Sequence, residues 1–296
     1  MQCSKCPRDA MVFQPYSGLH LCDQHIIADV EAKAKKVIRA QGWLKSGDHI
    51  AVPLSIDKSS SALLYFLKKL TAERRDIRIS AIMIDDGTSD PTDTLHLKRI
   101  AERLDTECIT GSWGGKSGEG VDTVTQRTGE PSASCDGNSH HFLLLEKVAQ
   151  QHGITKIARG FSVDDVAGAV LESIIRGEVE KLSGKPCPET IPRICPFISV
   201  TAAEISLYTG ICGFGDEPAL SPEQGDELHK DTVTMLESFT NNHPATKYAL
   251  LNLGENLAVS LLGIAGLIHA CEWFAEYQQR CCNNGSIQSE VKDGTA

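Results

Sequence analysis

Apolar residues along this chain switch between two spacings, and from residue 48 onward the switching is regular. A continuous apolar run over 49–54 reads as a buried strand, and 59–74 reads as a helix with Ala62, Leu63 and Phe66 on one face. The alternation repeats through strand 78–84, helix 93–104, strand 107–110, helix 138–152, strand 156–158, helix 164–181, strand 191–194 and helix 201–209. Strands separated by helix-length segments need crossover connections, so they pair in parallel and the helices cover both faces. The pattern predicts an α/β fold, a three-layer α/β/α doubly wound parallel sheet. Before it, 1–25 is turn-rich, and 23–41 reads as a helix carrying Lys33, Lys35, Lys36 and Arg39. After it, helices are expected over 222–240 and 246–270, with a polar, disordered tail from 283.

Composition narrows the classes. The chain has 296 residues, 41% of them apolar and 23% charged, enough for one main domain with small attachments. No run of eighteen apolar residues and no export pattern is visible, so a cytoplasmic protein without membrane contact is expected. A formal charge of −10 does not advertise nucleic-acid binding, although a local basic face can act inside an acidic protein. Eleven cysteines, without an export signal, point to metal ligands or thiols rather than disulfides.

The first four of those ligands are close together. Cys3 and Cys6 are separated by two residues, and after fifteen more come Cys22 and His25 with the same spacing. Two close pairs on two turns are what a tetrahedral ion needs, and four protein ligands leave no open position. The expectation is a structural zinc in an amino-terminal ribbon. That ribbon could also present Lys5, Arg8 and the basic helix to RNA.

Several stretches together resemble the TtuA/TtcA-type tRNA thiolation proteins, particularly the archaeal two-thiouridine branch. They are "MQCSKC" with "YSGLHLCDQH", then "IAVPLSIDKSSSALLYFLKKL", "AIMIDDG", "ITKIARGFSVDDVAGAVLESIIRGEVEKL", "LYTGI" and "HPATKYALLN". The resemblance covers about residues 1–270. It implies a PP-loop, adenine nucleotide alpha hydrolase fold. It also implies a tRNA substrate whose base carbonyl is adenylated with ATP and then sulfurated. It divides the chain into a ribbon at 1–27, an α/β domain at 28–215, a helical region with a degenerate second ribbon at 216–282, and a tail at 283–296.

The match departs from the family pattern at chemically important positions. The PP-loop reads Ser-Gly-Gly-x-Asp-Ser and wraps phosphates with backbone N–H groups. Here Ser55, Lys58 and Ser60 fit it, while Ile56 and Asp57 occupy the glycine positions and Ser59 replaces the aspartate. Glycine lets the backbone approach phosphate and take positive φ, and a β-branched isoleucine does both badly. A carboxylate at Asp57 would repel a phosphate about 4 Å away by roughly 1–4 kcal/mol. Of the three cysteines that hold the family's iron–sulfur cluster, Cys135 matches one. Ser132 stands at another, and no cysteine precedes Pro218. A cuboidal cluster needs at least three thiolates or substitutes, so [4Fe–4S] is not expected. Cys212 is a substitute thiol that could instead pair with Cys135 in a persulfide route. The family's Gly-His-Asn-x-Asp-Asp becomes Gly160-Phe161-Ser162-Val163-Asp164-Asp165. Its Asp pair serves either substrate or plain helix capping. Asp85-Asp86-Gly87 matches the adenosine-contacting edge, and His140-His141 stand where the family carries basic residues. Near the end, His269, Cys271, Cys281 and Cys282 are what remains of a second ribbon.

On these grounds the expected cofactors are structural zinc and, in weakened form, ATP with magnesium. Ser55, Lys58, Ser59, Ser60, Asp85 and Gly160 are the candidate nucleotide contacts, and Cys135 and Asp164 the candidate catalytic groups. The expected role is a catalytically impaired paralogue that binds tRNA or a partner, such as a sulfur carrier or an intact paralogue, as a homodimer or heterodimer. The competing reading is an active ATP-dependent tRNA sulfurtransferase with an atypical PP-loop and Cys135. A third is different chemistry on the same fold through Cys135.

Overall fold

Five parallel strands form the central sheet of the computed structural model, which describes residues 1–85, 91–112, 137–178, 191–214 and 227–262. In chain order the elements are β1 (Val12–Gln14), β2 (Leu19–Leu21), α1 (Asp23–Gln41), β3 (His49–Pro53), α2 (Lys58–Leu70), β4 (Arg78–Asp85), α3 (Pro91–Arg103) and β5 (Glu107–Ser112). They continue with α4 (Gly137–Gln151), β6 (Lys156–Ala158), α5 (Val163–Ile175), β7 (Arg193–Ile194), α6 (Ala202–Ile211), α7 (Glu227–Asn242) and α8 (Thr246–Leu262). The sheet order is β5-β4-β3-β6-β7. Ile50 pairs with Ile79 on one side and Lys156 on the other.

Strand alternation builds the layers. Ile50, Val52, Ala81, Met83 and Ala158 join a cluster with Leu63, Phe66 and Leu67 of α2 and Ile100 of α3. The intervening Ala51, Ile82, Ile109 and Ile157 pack against Leu144, Leu145 and Val148 of α4. Successive side chains point to opposite faces, so α2 and α3 cover one face and α4 the other. The doubly wound parallel sheet expected from the alternation is what the chain forms.

Differences lie at element ends and in the short hairpin. β1 and β2 pair antiparallel, Val12 opposite Leu21, in a stretch that reads only as turns. Three-residue strands are too short to show a period. α2 stops at Leu70, where Thr71 leaves helical geometry at φ −101° and its hydroxyl donates to the Leu67 carbonyl at 2.8 Å. α5 stops at Ile175 because Gly177 turns left-handed at φ 70°.

Buried charges are paired. Arg193, 5% exposed, donates to Glu146 at 2.7 Å and stacks over Phe142. At the amino edge of the sheet, buried Asp48 accepts from Lys45 N–H at 2.6 Å and pairs with Lys156. Burial acts to raise the Asp48 pKa, but the Lys156 and Lys45 hydrogen bonds outweigh it and hold the carboxyl below its usual range. A depressed folded-state pKa gives stability that is present above the unfolded value and lost as pH falls through the folded one. Asp48→Asn is therefore expected to flatten the acid limb of the thermal-stability profile below about pH 4. An unchanged acid limb would exclude this pair as a contributor.

Candidate functional site

Sheet order reverses between β3 and β6, so their carboxyl ends open the crevice where ligands bind in open α/β sheets. Two turns meet there, 54–57 before α2 and 159–162 before α5. Gly160 is where they touch. A Cβ on it would lie 2.6 Å from the Ser59 hydroxyl and 2.8 Å from the Ser59 carbonyl carbon and oxygen. Only a residue without a side chain allows this approach.

The 55–60 turn is held by its own side chains. Buried Ser60 donates its hydroxyl to the carbonyls of Ser55 and Asp57, both at 2.9 Å, and accepts from Ser55 N–H at 3.2 Å. Asp57 is the N-cap of α2, with φ −64°, and its carboxylate accepts from Ser59 N–H at 3.1 Å and from the Ser59 hydroxyl. Among the described non-glycine residues only Asp105 has positive φ, so Ile56 and Asp57 need no glycine-like backbone. The carboxylate thus occupies a helix-start amide of the kind that a phosphate loop turns toward its anion. Lys58 opens α2.

The second turn is capped in the same manner. Ser162 and Asp165 form a reciprocal box: Ser162 N–H and hydroxyl each donate to Asp165 at 2.7 Å, and Asp165 N–H returns to the hydroxyl at 3.2 Å. Asp164 accepts from Ala202 N–H at 2.9 Å and pairs with Lys247 at 2.5 Å, so it joins α5 to the starts of α6 and α8. Half-buried Arg159 lies 4.9 Å over the Phe161 ring, and burial pushes its guanidinium pKa down. This cation, which sequence reasoning missed, lies beside the turn residues in sequence but carries no motif of its own. Asp85 ends β4, at the same edge of the sheet.

The amino-terminal ligands converge. The Cys3 and Cys22 sulfurs lie 3.4 and 3.3 Å from His25 Nδ1, and the Cys6 and Cys22 sulfurs are 3.7 Å apart. All four ligand atoms fall within 4.8 Å of one another. A tetrahedral ion with metal–sulfur bonds of about 2.3 Å needs a sulfur–sulfur edge of about 3.8 Å, so the donor set fits a single thiophilic metal ion. Cys22 is the N-cap of α1 and His25 lies in its first turn, so the helix start carries half the ligands. Burial acts to raise the Cys3 thiol, but a hydrogen bond from Lys5 N–H and contacts with the neighbouring thiols bring its pKa down to about 6. Among the described residues this is the one group of three or more such side chains that converges. Cys212 is elsewhere, capping the carboxyl end of α6 among Tyr65 and Tyr208, and burial pushes its thiol up. Cys135, Ser132, Asp86, Gly87, Pro218, His269, Cys271, Cys281, Cys282 and the side chains of His140 and His141 lie outside the described residues.

A doubly wound parallel sheet whose two capped turns meet at its switch point, preceded by four converging metal-ligand side chains, defines the class: an α/β fold of PP-loop type with an amino-terminal metal-binding module. Comparisons with known proteins point the same way. The family model for the 2-thiouridine synthetase TtuA N-terminal LIM domain matches residues 2–25. The tRNA 2-thiolation protein NcsA of Haloferax volcanii is 26% identical over 279 residues, 87% of each chain. Cytoplasmic tRNA 2-thiolation protein 1 of Bos taurus is 27% identical over 276 residues, 88% of this chain and 78% of that one. The U34-tRNA thiolase NcsA of Methanococcus maripaludis, solved with its [4Fe–4S] cluster, superposes with a TM-score of 0.73 at 24% identity over 87% of each chain. These matches make the chain similar to the TtuA/NcsA-type tRNA 2-thiolation proteins.

One expectation is corrected. Sequence reasoning assigned structural zinc, with weakened ATP and magnesium, and set [4Fe–4S] aside. The M. maripaludis thiolase of the same fold carries that cluster. The four amino-terminal ligands define a metal site without specifying its ion. Cluster ligation depends on which thiolates converge in space, and counting cysteines in an aligned motif does not supply that. No helix among the described residues is long and apolar enough to cross a membrane.

Proposed function

We propose that this chain is a tRNA-binding member of the thiolation family whose ATP-dependent step is impaired, and that it acts on tRNA together with an intact paralogue or a sulfur carrier. The tRNA side rests on the tRNA 2-thiolation role of the relatives above. It is supported by Lys36 and Arg39, exposed basic residues three apart on α1 of an acidic chain. Cytoplasmic residence is supported by the name of the Bos taurus relative.

The observation that carries the impaired chemistry is the Asp57 carboxylate on Ser59 N–H. An anion approaching the start of α2 meets a fixed negative charge, and it finds that amide already satisfied. Ser59 and Phe161 add no carboxylate or imidazole in compensation. The experiment measures AMP release from ATP with bulk tRNA, alongside filter binding at a stated moderate salt concentration. The wild-type chain is expected to retain tRNA and release no tRNA-stimulated AMP. Asp57→Gly is expected to raise ATP affinity about fivefold or more, the effect of removing a repulsion of roughly 1–4 kcal/mol. Steady AMP release by the wild type would instead support an active sulfurtransferase using the atypical turn and Cys135. Absence of tRNA retention would remove the RNA role.

A further inference from the structure

We propose that Glu204 is the positioning residue through which the amino-terminal metal module holds the starts of α6 and α5 at the carboxyl edge of the sheet. The proposal does not depend on the impaired ATP step.

Glu204 is 3% exposed and sits in the first turn of α6. Its carboxylate gathers donors from three parts of the chain. Gln14 Nε2 of β1 donates at 2.6 Å, and the Tyr16 hydroxyl donates to the same oxygen. Lys33 of α1 reaches both oxygens at 3.0 Å. Thr201 N–H closes the α6 capping box at 3.1 Å. Burial, with Glu204 beside it, pushes the Tyr16 phenol far up, so the hydroxyl stays a donor. A buried carboxylate is tolerated only while such donors remain.

Two of the donors, Gln14 and Tyr16, ride on the hairpin that the metal knuckle organises. Ser4 N–H donates to His20 O at 2.7 Å, and Met11 N–H donates to Leu21 O at 2.8 Å, one residue from ligand Cys22. Lys5, between two ligands, pairs with Asp29 at 3.9 Å, and Asp29 pairs with Lys33 at 2.9 Å. Beyond Glu204 the path is short. Ala202 N–H donates to Asp164 at 2.9 Å, and Val163 N–H donates to Val200 O at 2.9 Å. The starts of α5 and α6 are therefore cross-bonded, and α5 follows the turn whose Gly160 lies against Ser59. Metal release frees the hairpin, withdraws two donors from a buried charge, and loosens both helix starts.

The test is backbone hydrogen exchange on the full chain with its metal bound and after chelation. In the wild type, chelation is expected to cut protection at Val163, Ala202 and Glu204 at least about tenfold. Central-strand amides such as Ala51 and Ile82 should be unmoved. In a Lys5→Ala, Gln14→Ala, Tyr16→Phe triple variant neither the hairpin nor the Lys5–Asp29–Lys33 chain links the metal module to Glu204. Those three amides should then exchange at one rate with or without metal. The proposal is overturned by equal metal dependence in wild type and variant. It is overturned also by no metal dependence in the wild type, or by a loss that extends to Ala51 and Ile82, which would mark global unfolding.

Discussion

Cys22→Ser is expected to take bound metal from about one equivalent per chain to near zero and to open the first 21 residues to proteolysis. Cys22 is 2% exposed and serves both as ligand and as the N-cap residue of α1. Serine keeps the cap but offers no soft thiolate. The module has almost no core of its own, with Leu21 as its fully buried apolar residue. In such small units the metal-binding energy is largely the folding energy. α1 itself should survive, because Ile26, Val30, Ala34, Val37 and Ile38 are buried in the main cluster of the α/β domain. The expected outcome is thus local: metal content by emission spectroscopy falls, cleavage appears before Asp23, and helical circular dichroism is nearly unchanged. Near-stoichiometric metal in the variant would remove Cys22 from the ligand set.

The parts of this molecule that were legible in the sequence are those governed by short-range periodicity. The strands from His49 and Arg78 show as apolar runs because both of their faces are covered. The four-ligand knuckle shows because each pair of ligands is close in sequence. The role of Asp57 was read only halfway. Its place in the family motif suggested a charge facing phosphate, whereas its place just before a helix already marked an N-cap. The capping geometry won, because the nearest amides are two residues away and a ligand is not part of the chain. Asp164 shows the opposite limit. Its partners, Ala202 and Lys247, lie 38 and 83 residues away, and no local pattern announces either contact. The same holds for Glu204, whose nearest hairpin donor is 188 residues distant.

Gly160→Ala is expected to be among the most damaging single-methyl changes in the chain, and its effect follows from space alone. The added Cβ would lie 2.6 Å from the Ser59 hydroxyl, which can rotate away, but also 2.8 Å from the Ser59 carbonyl carbon and oxygen, which cannot. Those backbone atoms belong to the first turn of α2, whose position is set by Leu63, Leu64 and Leu67 in the core. The 159–162 turn must therefore back away, and with it the start of α5 and the Asp164 contacts to Ala202 and Lys247. Overpacking of this kind costs about 1–3 kcal/mol, a fall of roughly 2–5 °C in Tm for a chain of this size. Gly168 is the matched control, because it sits inside α5 with nothing within 4 Å of an added Cβ. Gly168→Ala should leave Tm unchanged or raise it, by up to about 1 kcal/mol of helix propensity. A Gly160→Ala variant as stable as wild type, with ligand binding at the switch point intact, would show that the two turns are not in contact as described.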